Sequence, residues 1–259
     1  MRWALAALLL GCAAHKGADT QPPPLWSTPD GKDKARMEMV QVMLDSHNPT
    51  GALSLLATMR QDGVKGPEID LLHGRALYEA GLFDDATEML GRIPKRSDAW
   101  PEAQAQLGLL AMERKEVDQA ISRFEAASDA DPKRASYLNN LGFCLMATGR
   151  YDDAVDALRR SLALDSTQAR TRNNLGFALL AAGREAEAFR VFRAGGSEAE
   201  ARYNVGVGYE LKGDLDAAQN AYREALAADP AYANARQALD RLSPGHSNPD
   251  LNSPRLETP

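Results

Sequence analysis

The chain has 259 residues, of which 44% are hydrophobic, and a formal net charge of −6. This is the composition of a globular chain with ample apolar surface for a core. The acidic balance argues against a nucleic-acid binder, which needs a basic footprint. No run of about 20 apolar residues is present to form a spanning helix.

The first twelve residues stand apart from the rest. Arg2 supplies a positive start, and Trp3 to Leu10 is a short apolar run of the length found in export signals. The run ends Leu9-Leu10-Gly11-Cys12, which resembles a bacterial lipobox: aliphatic at −3, small at −1, then the cysteine. The resemblance implies that residues 1–11 are a lipoprotein signal peptide. It also implies that Cys12 is thioether-linked to diacylglycerol, acylated on its new amino group, and first in the mature chain. Three acyl chains exceed the two-signal threshold for stable membrane anchoring. Ala13 in the next position fits sorting to the outer membrane, facing the periplasm. Only Cys12 and Cys144 are present, so with Cys12 lipidated no internal disulfide can form. Residues 12–32, with Pro22-Pro23-Pro24 and no apolar period, read as a lipidated flexible tether.

From Asp33 a 34-residue period can be laid down, with units starting near 33, 67, 101, 135 and 169, and a sixth at 199 after a unit shortened to thirty. Its clearest copies are Asn139-Asn140-Leu141-Gly142-Phe143 and Asn173-Asn174-Leu175-Gly176-Phe177, followed by Tyr203-Asn204-Val205-Gly206-Val207. The eighth place of each unit holds glycine from Gly74 through Gly108, Gly142 and Gly176 to Gly206. The twentieth holds alanine (Ala52, Ala86, Ala120, Ala154, Ala188, Ala218). The twenty-fourth holds a bulky residue (Leu56, Leu90, Phe124, Leu158, Phe192, Tyr222). Small beside large at constant spacing predicts paired helices packing knob into pocket. The first unit lacks the glycine, with Val40 in its place, and reads as a degenerate cap. The fifth ends early at Gly195-Gly196-Ser197, which predicts a shortened second helix. Residues 233–242 read as the solvating end helix, and 243–259, rich in proline, as a disordered tail.

This pattern resembles the tetratricopeptide repeat family over roughly residues 33–242. The resemblance implies an all-α, right-handed α-solenoid of about six helix-turn-helix units with a C-terminal capping helix. It also implies that the first helix of each unit lines a concave groove. Candidate groove residues are Asn140, Asn174 and Asn204 at the sixth place, Phe143 and Phe177 at the ninth, and Met146 and Leu180 at the twelfth. Arg170 at the second place is the candidate cation. An asparagine amide offers both donor and acceptor, so a ladder of them can pair with the backbone of an extended peptide. The apolar places would accept an amphipathic or apolar segment, unless the phenylalanines tuck between helices as core.

Nothing in the residues calls for catalysis, a metal or a cofactor beyond the covalent lipid on Cys12. The four histidines (His15, His47, His73, His246) are not at metal-ligand spacing. No phosphate loop or nucleophile elbow is present. Carboxylate pairs such as Asp84-Asp85 and Asp152-Asp153 fall at helix starts, where they complement the dipole. Cys144, inside a helical pattern, reads as a small buried hydrophobe. The lipobox together with the repeats resembles pilotin-type lipoproteins of type IV and tight-adherence pilus systems. That resemblance implies a protein partner, a secretin or pilus subunit, met at the membrane through the lipid anchor. A scaffold that recruits or regulates cell-wall enzymes in the envelope would use the same architecture.

Overall fold

The structure, a computed structural model, describes residues 29–243. The expected signal peptide, Cys12, most of the expected tether and all of the expected tail but Ser243 lie outside the described residues. Thirteen α-helices and no strands are found among the described residues. The chain divides into two compact units, one ending at Val64 and one starting at Lys65.

The first unit is a helical hairpin of α1 (Pro29–Asp45) and α2 (Pro49–Gln61). Helix α1 begins at Pro29, inside the stretch read from sequence as tether. Proline suits the first turn, where its missing N–H has no partner to lose, and Lys-Asp-Lys-Ala continues the helix. The Asn48 side chain caps α2 by accepting from the Gly51 N–H at 3.0 Å. Arg36 pairs with Asp33 at 3.2 Å and also with Asp62, so the start of α1 is tied to the end of α2. Val40, Leu44, Ala52 and Leu56 are the unit's buried core. Val40 takes the place that glycine holds in the other units.

The second unit contains five helical hairpins: α3 (Pro67–Glu79) with α4 (Phe83–Gly91), α5 (Trp100–Glu113) with α6 (Val117–Ala130), α7 (Ala135–Ala147) with α8 (Tyr151–Leu164), α9 (Ala169–Ala181) with α10 (Glu185–Arg193), and α11 (Glu198–Leu211) with α12 (Leu215–Ala228). Helix α13 (Ala233–Leu242) closes the series on α12, over the span expected of the end helix.

The small-beside-large pattern is the packing rule inside each hairpin. A Cβ added at Gly74 would meet Leu90 at 2.5 Å, and one at Gly142 would meet Leu158 at 2.5 Å. Gly108, Gly176 and Gly206 face the rings of Phe124, Phe192 and Tyr222 in the same way. The alanines of the twentieth place are fully buried beside them. The two helices therefore approach closely only because the eighth place carries no side chain.

The turn between the helices of a unit needs one residue in the left-handed region. Gly81, Gly149, Gly183 and Gly213 supply it with φ between 76° and 78°, and Lys115 and His47 occupy the same place at φ 60° and 53°. The N–H of the following residue then bonds back to the carbonyl five residues earlier, as in Arg150 to Leu145 at 2.9 Å and Glu116 to Ala111 at 2.8 Å. This closes the helix end as a Schellman motif.

Two second helices are short. Helix α10 has nine residues against fourteen in α8 and α12, as the early stop at Gly195-Gly196 predicts. Helix α4 also has nine, which the repeat length of its unit conceals. The chain leaves the helix at Gly91 and crosses Ile93-Pro94 in a longer loop before α5. After the glycines, Ser197 restarts the helix by accepting from the Glu200 N–H at 3.1 Å.

Within the second unit, neighbouring hairpins pack first helix on first helix (α3 on α5, α7 on α9, α9 on α11), and α4, α6, α8 and α10 each also pack on the first helix that follows. Among the described residues no comparable packing joins successive second helices. The first helices thus form the closer-spaced row of a solenoid, and the second helices form the splayed one.

Candidate functional site

The surface of the close-spaced row is built from α5, α7, α9 and α11. Leu109, Phe143, Phe177 and Val207 stand at the ninth place of successive units, and all four are half-buried. Side chains at this depth offer apolar surface without being free in solvent. They form a strip along the row, with the amides of the sixth place one turn earlier on each helix.

The structure divides the candidate residues into three groups. Phe143, Asn140, Asn174 and Asn204 are half-buried on the row, and Arg170 is exposed at its margin. Phe177 serves two purposes: it lies on the row, and its ring packs edge-on against Phe192 with centroids 5.3 Å apart. At the twelfth place Leu180 turns inward. Leu180 is 4% exposed, and its Cδ1 lies 2.2 Å from where a Cβ on Gly208 would stand. The expectation that Leu180 lines the groove is therefore corrected. It fills the space between α9 and α11 that the missing side chain of Gly208 leaves open. Met146 is half-buried and packs on the core, as does Met112, whose Sδ is 3.2 Å from Cys144 Sγ. The apolar strip therefore loses Leu180 and runs along the ninth place, with Met146 half-buried beside Phe143.

The asparagines form a relay. Asn174 Nδ2 donates to Asn139 Oδ1 at 3.0 Å, and Asn139 Nδ2 donates to Asn140 Oδ1 at 3.2 Å. Asn139, only 6% exposed, is the hub that links α7 to α9. Sequence reading named its neighbours and passed over it, although the doubled Asn139-Asn140 was the signal: the first asparagine of that pair bonds both its neighbour and Asn174. The relay uses one acceptor of Asn140 and one donor of Asn174. It leaves an amide donor on Asn140 and a carbonyl acceptor on Asn174 held in fixed directions.

Tyrosine–glutamate bonds brace the row between units. Tyr137 donates to Glu102 at 2.7 Å, and Tyr78 donates to Glu113 at 3.2 Å. Burial, followed by the adjacent Glu113 charge, pushes the Tyr78 phenol up to about 12. Burial first, and then the bond to Glu102, raises the Tyr137 phenol as well. Both stay protonated donors at any ordinary pH. Burial pushes the Cys144 thiol up to about 12, which keeps it an unreactive packing group.

Among the described residues no group of three or more His, Cys, Asp or Glu is placed to hold a metal ion. No helix among them is long and apolar enough to cross a membrane.

Paired helices in fixed register, a close-spaced first-helix row and a polar end helix define a helical-repeat solenoid, a class that works through its surface. Comparison with known proteins names the repeat. A tetratricopeptide repeat profile matches residues 105–169 and 145–199, and a second tetratricopeptide profile matches 199–232. Residues 105–232 are therefore tetratricopeptide repeats, a class typical of peptide- or protein-binding scaffolds. No curated protein matches the sequence. Among solved structures the chain is similar to MamA, at 24% identity and a TM-score of 0.50 over 62% of this chain and 96% of that one. It is similar to YrrB, described as a TPR protein with an unusual peptide-binding site, at 20% identity and a TM-score of 0.56 over 71% and 97%. The 41-to-end form of MamA from Desulfovibrio magneticus RS-1 aligns at 21% identity and a TM-score of 0.53 over 63% and 92%. At these identities the likeness is one of fold.

Proposed function

We propose that this chain is a lipid-anchored envelope protein whose repeats capture an apolar segment of another protein. The partner in this reading is a secretin or pilus subunit awaiting assembly in the outer membrane. The observation that carries the capture is the strip of half-buried apolar side chains at the ninth place, led by Phe143, beside amides held by the Asn139 relay. A segment laid along the strip would bury its apolar side chains there, and its backbone could pair with Asn140 and Asn174. The Trp3–Leu10 run and Cys12 support the anchor. An anchor raises the effective concentration of the strip at the membrane, so a modest affinity suffices.

The reading is tested by purifying tagged protein from its native envelope with its bound partners. Phe143→Glu is expected to remove the partner while leaving the helical circular-dichroism spectrum unchanged. Cys12→Ser is expected to release the protein from the membrane and lower partner recovery without affecting binding in solution. Full recovery of the partner with Phe143→Glu would sink the assignment.

A further inference from the structure

On the side of α11 away from the strip, α10 and α12 stand apart over a cleft of about 690 Å³. The face of α11 that floors it carries Arg202, Val205 and Tyr209, whereas the strip takes Asn204 and Val207. At 100° per residue the two faces point roughly 160° apart, so this is a separate surface. Val205 and Ala221 are buried apolar floor, and the Phe189 ring lines the α10 side.

The charges of the cleft are unevenly used. Arg184 is taken by Glu187 through bonds of 2.8 and 2.9 Å. Arg202 stacks over the Phe189 ring at 4.5 Å and is paired with Glu224 at 2.6 Å. Glu185 is different. Its one hydrogen-bond partner among the described residues is the neutral Tyr209 hydroxyl, which donates to it, and no cation is within ion-pair reach. Lys212 sits behind Tyr209, in an adjoining hollow of about 110 Å³, and donates to the Leu180 carbonyl at 3.3 Å. The Tyr209 phenol is pushed up to about 12, first by its bond to Glu185, then by burial, then by the charges of Glu185, Asp214 and Glu224. That end of the cleft is therefore an anionic, aromatic recess above an apolar floor.

We infer that this cleft is a second binding site, which takes a lysine or arginine side chain of a basic protein segment. The cation pairs with Glu185 and lies on the Tyr209 ring, and its aliphatic stem covers Val205 and Ala221. Arg202 already shows the geometry in the same cleft: a guanidinium on an aromatic face, held by a glutamate. A basic segment complements the one cleft carboxylate that lacks a cation, whereas an acidic or phosphorylated segment would meet three glutamates whose two cations are engaged. The site is independent of the strip, so one chain could hold two segments, or two proteins, on opposite faces.

The test uses the full chain and a fluorescein-labelled peptide of alternating alanine and arginine, nine residues long, with a citrulline peptide of the same length as its neutral control. Binding is read by fluorescence anisotropy at low and high salt. The arginine peptide is expected to bind in a salt-sensitive way and the citrulline peptide at least tenfold more weakly. Glu185→Gln keeps an acceptor for Tyr209 but removes the charge, and it is expected to weaken the arginine peptide about tenfold. Asn220→Arg, at an exposed position on α12, places a competing guanidinium in the cleft and is expected to do the same. Phe143→Glu, on the other face, is expected to leave this binding unchanged. Equal binding by wild type, Glu185→Gln and Asn220→Arg would overturn the proposal, and so would equal binding of the two peptides.

Discussion

Substitution of Gly206 by alanine tests the packing rule where the opposing ring is also held by a hydrogen bond. A Cβ at Gly206 would lie 2.4 Å from Tyr222 Cε1 and 2.6 Å from Cδ1. Favourable carbon–carbon contact needs ~3.5–4.0 Å, so about 1 Å must be found by movement. The Tyr222 ring has little freedom to supply it. Its residue is fully buried, and its hydroxyl donates to Glu210 at 2.7 Å. Glu210 is held by Arg241 of α13 at 2.8 Å, and the Tyr203 ring lies 5.5 Å from that of Tyr222. Overpacking a site of this kind costs about 1–3 kcal/mol, against which alanine returns roughly 1 kcal/mol of helix propensity. The net expectation is a loss of up to about 2 kcal/mol, felt mainly in the last hairpin and its cap. Because repeat proteins need not unfold in one step, hydrogen exchange at the α11 and α12 amides is the appropriate assay. A loss of that size raises their exchange by up to roughly 30-fold. In a Tyr222→Ala background the clash is gone, so Gly206→Ala should be neutral or mildly stabilising. Equal slowing or equal acceleration in both backgrounds would refute the claim that the glycine is there to admit the ring.

Three further outcomes are expected. Lys115→Gly should raise the urea midpoint by relieving a non-glycine residue at φ 60°, by about 1 kcal/mol or somewhat more, and a lowered midpoint would contradict the turn argument. Stability should fall at alkaline pH. Tyr78 and Tyr209 have folded values of about 12 against an unfolded 10.0, and Tyr137 and Tyr222 are raised further. Each favours the protonated folded form, so its stabilising effect is complete below pH 10.0 and lost as pH rises through about 12. Tyrosinate absorbance followed beside circular dichroism should therefore show these phenols ionising together with unfolding, and ionisation of all of them while helicity is intact would contradict it. Cys144 should resist thiol reagents in the folded protein and react at an ordinary rate in denaturant. Rapid native labelling would show that it is not the buried group described here.

The repeat was legible in sequence because glycine, alanine and a bulky residue recur in fixed phase, and in the five hairpins of the second unit the structure sets the glycine against the bulky residue with the alanine fully buried. The short α10 was legible too, since two glycines interrupt the helix and remove four residues from the period. Helix α4 escaped notice because its missing turn is replaced by loop, which leaves the period at 34. Lys115 was not recognised as a turn residue, because the left-handed place is marked by backbone geometry and not by residue type. At the strip, period alone could not tell the face of the twelfth place. Leu180 turns inward because its neighbour across the units, Gly208, is small. Asn139 was missed because its role lies in bonds to two other asparagines, one of them a unit away. The α10–α12 cleft had no sequence signature, since its walls come from three helices whose spacing only packing sets.

The most direct test of the central reading is a photo-crosslinking amino acid at position 143 in living cells, compared with one at Ser122 on the exposed side of α6. The account predicts that a secretin or pilus subunit is captured at 143 and not at 122. A cell-wall synthase or hydrolase in its place would keep the strip as the binding site but replace the assembly role. No capture at 143 with the protein correctly membrane-anchored, or equal capture at both positions, would contradict the claim that the first-helix strip is where this chain holds its partner.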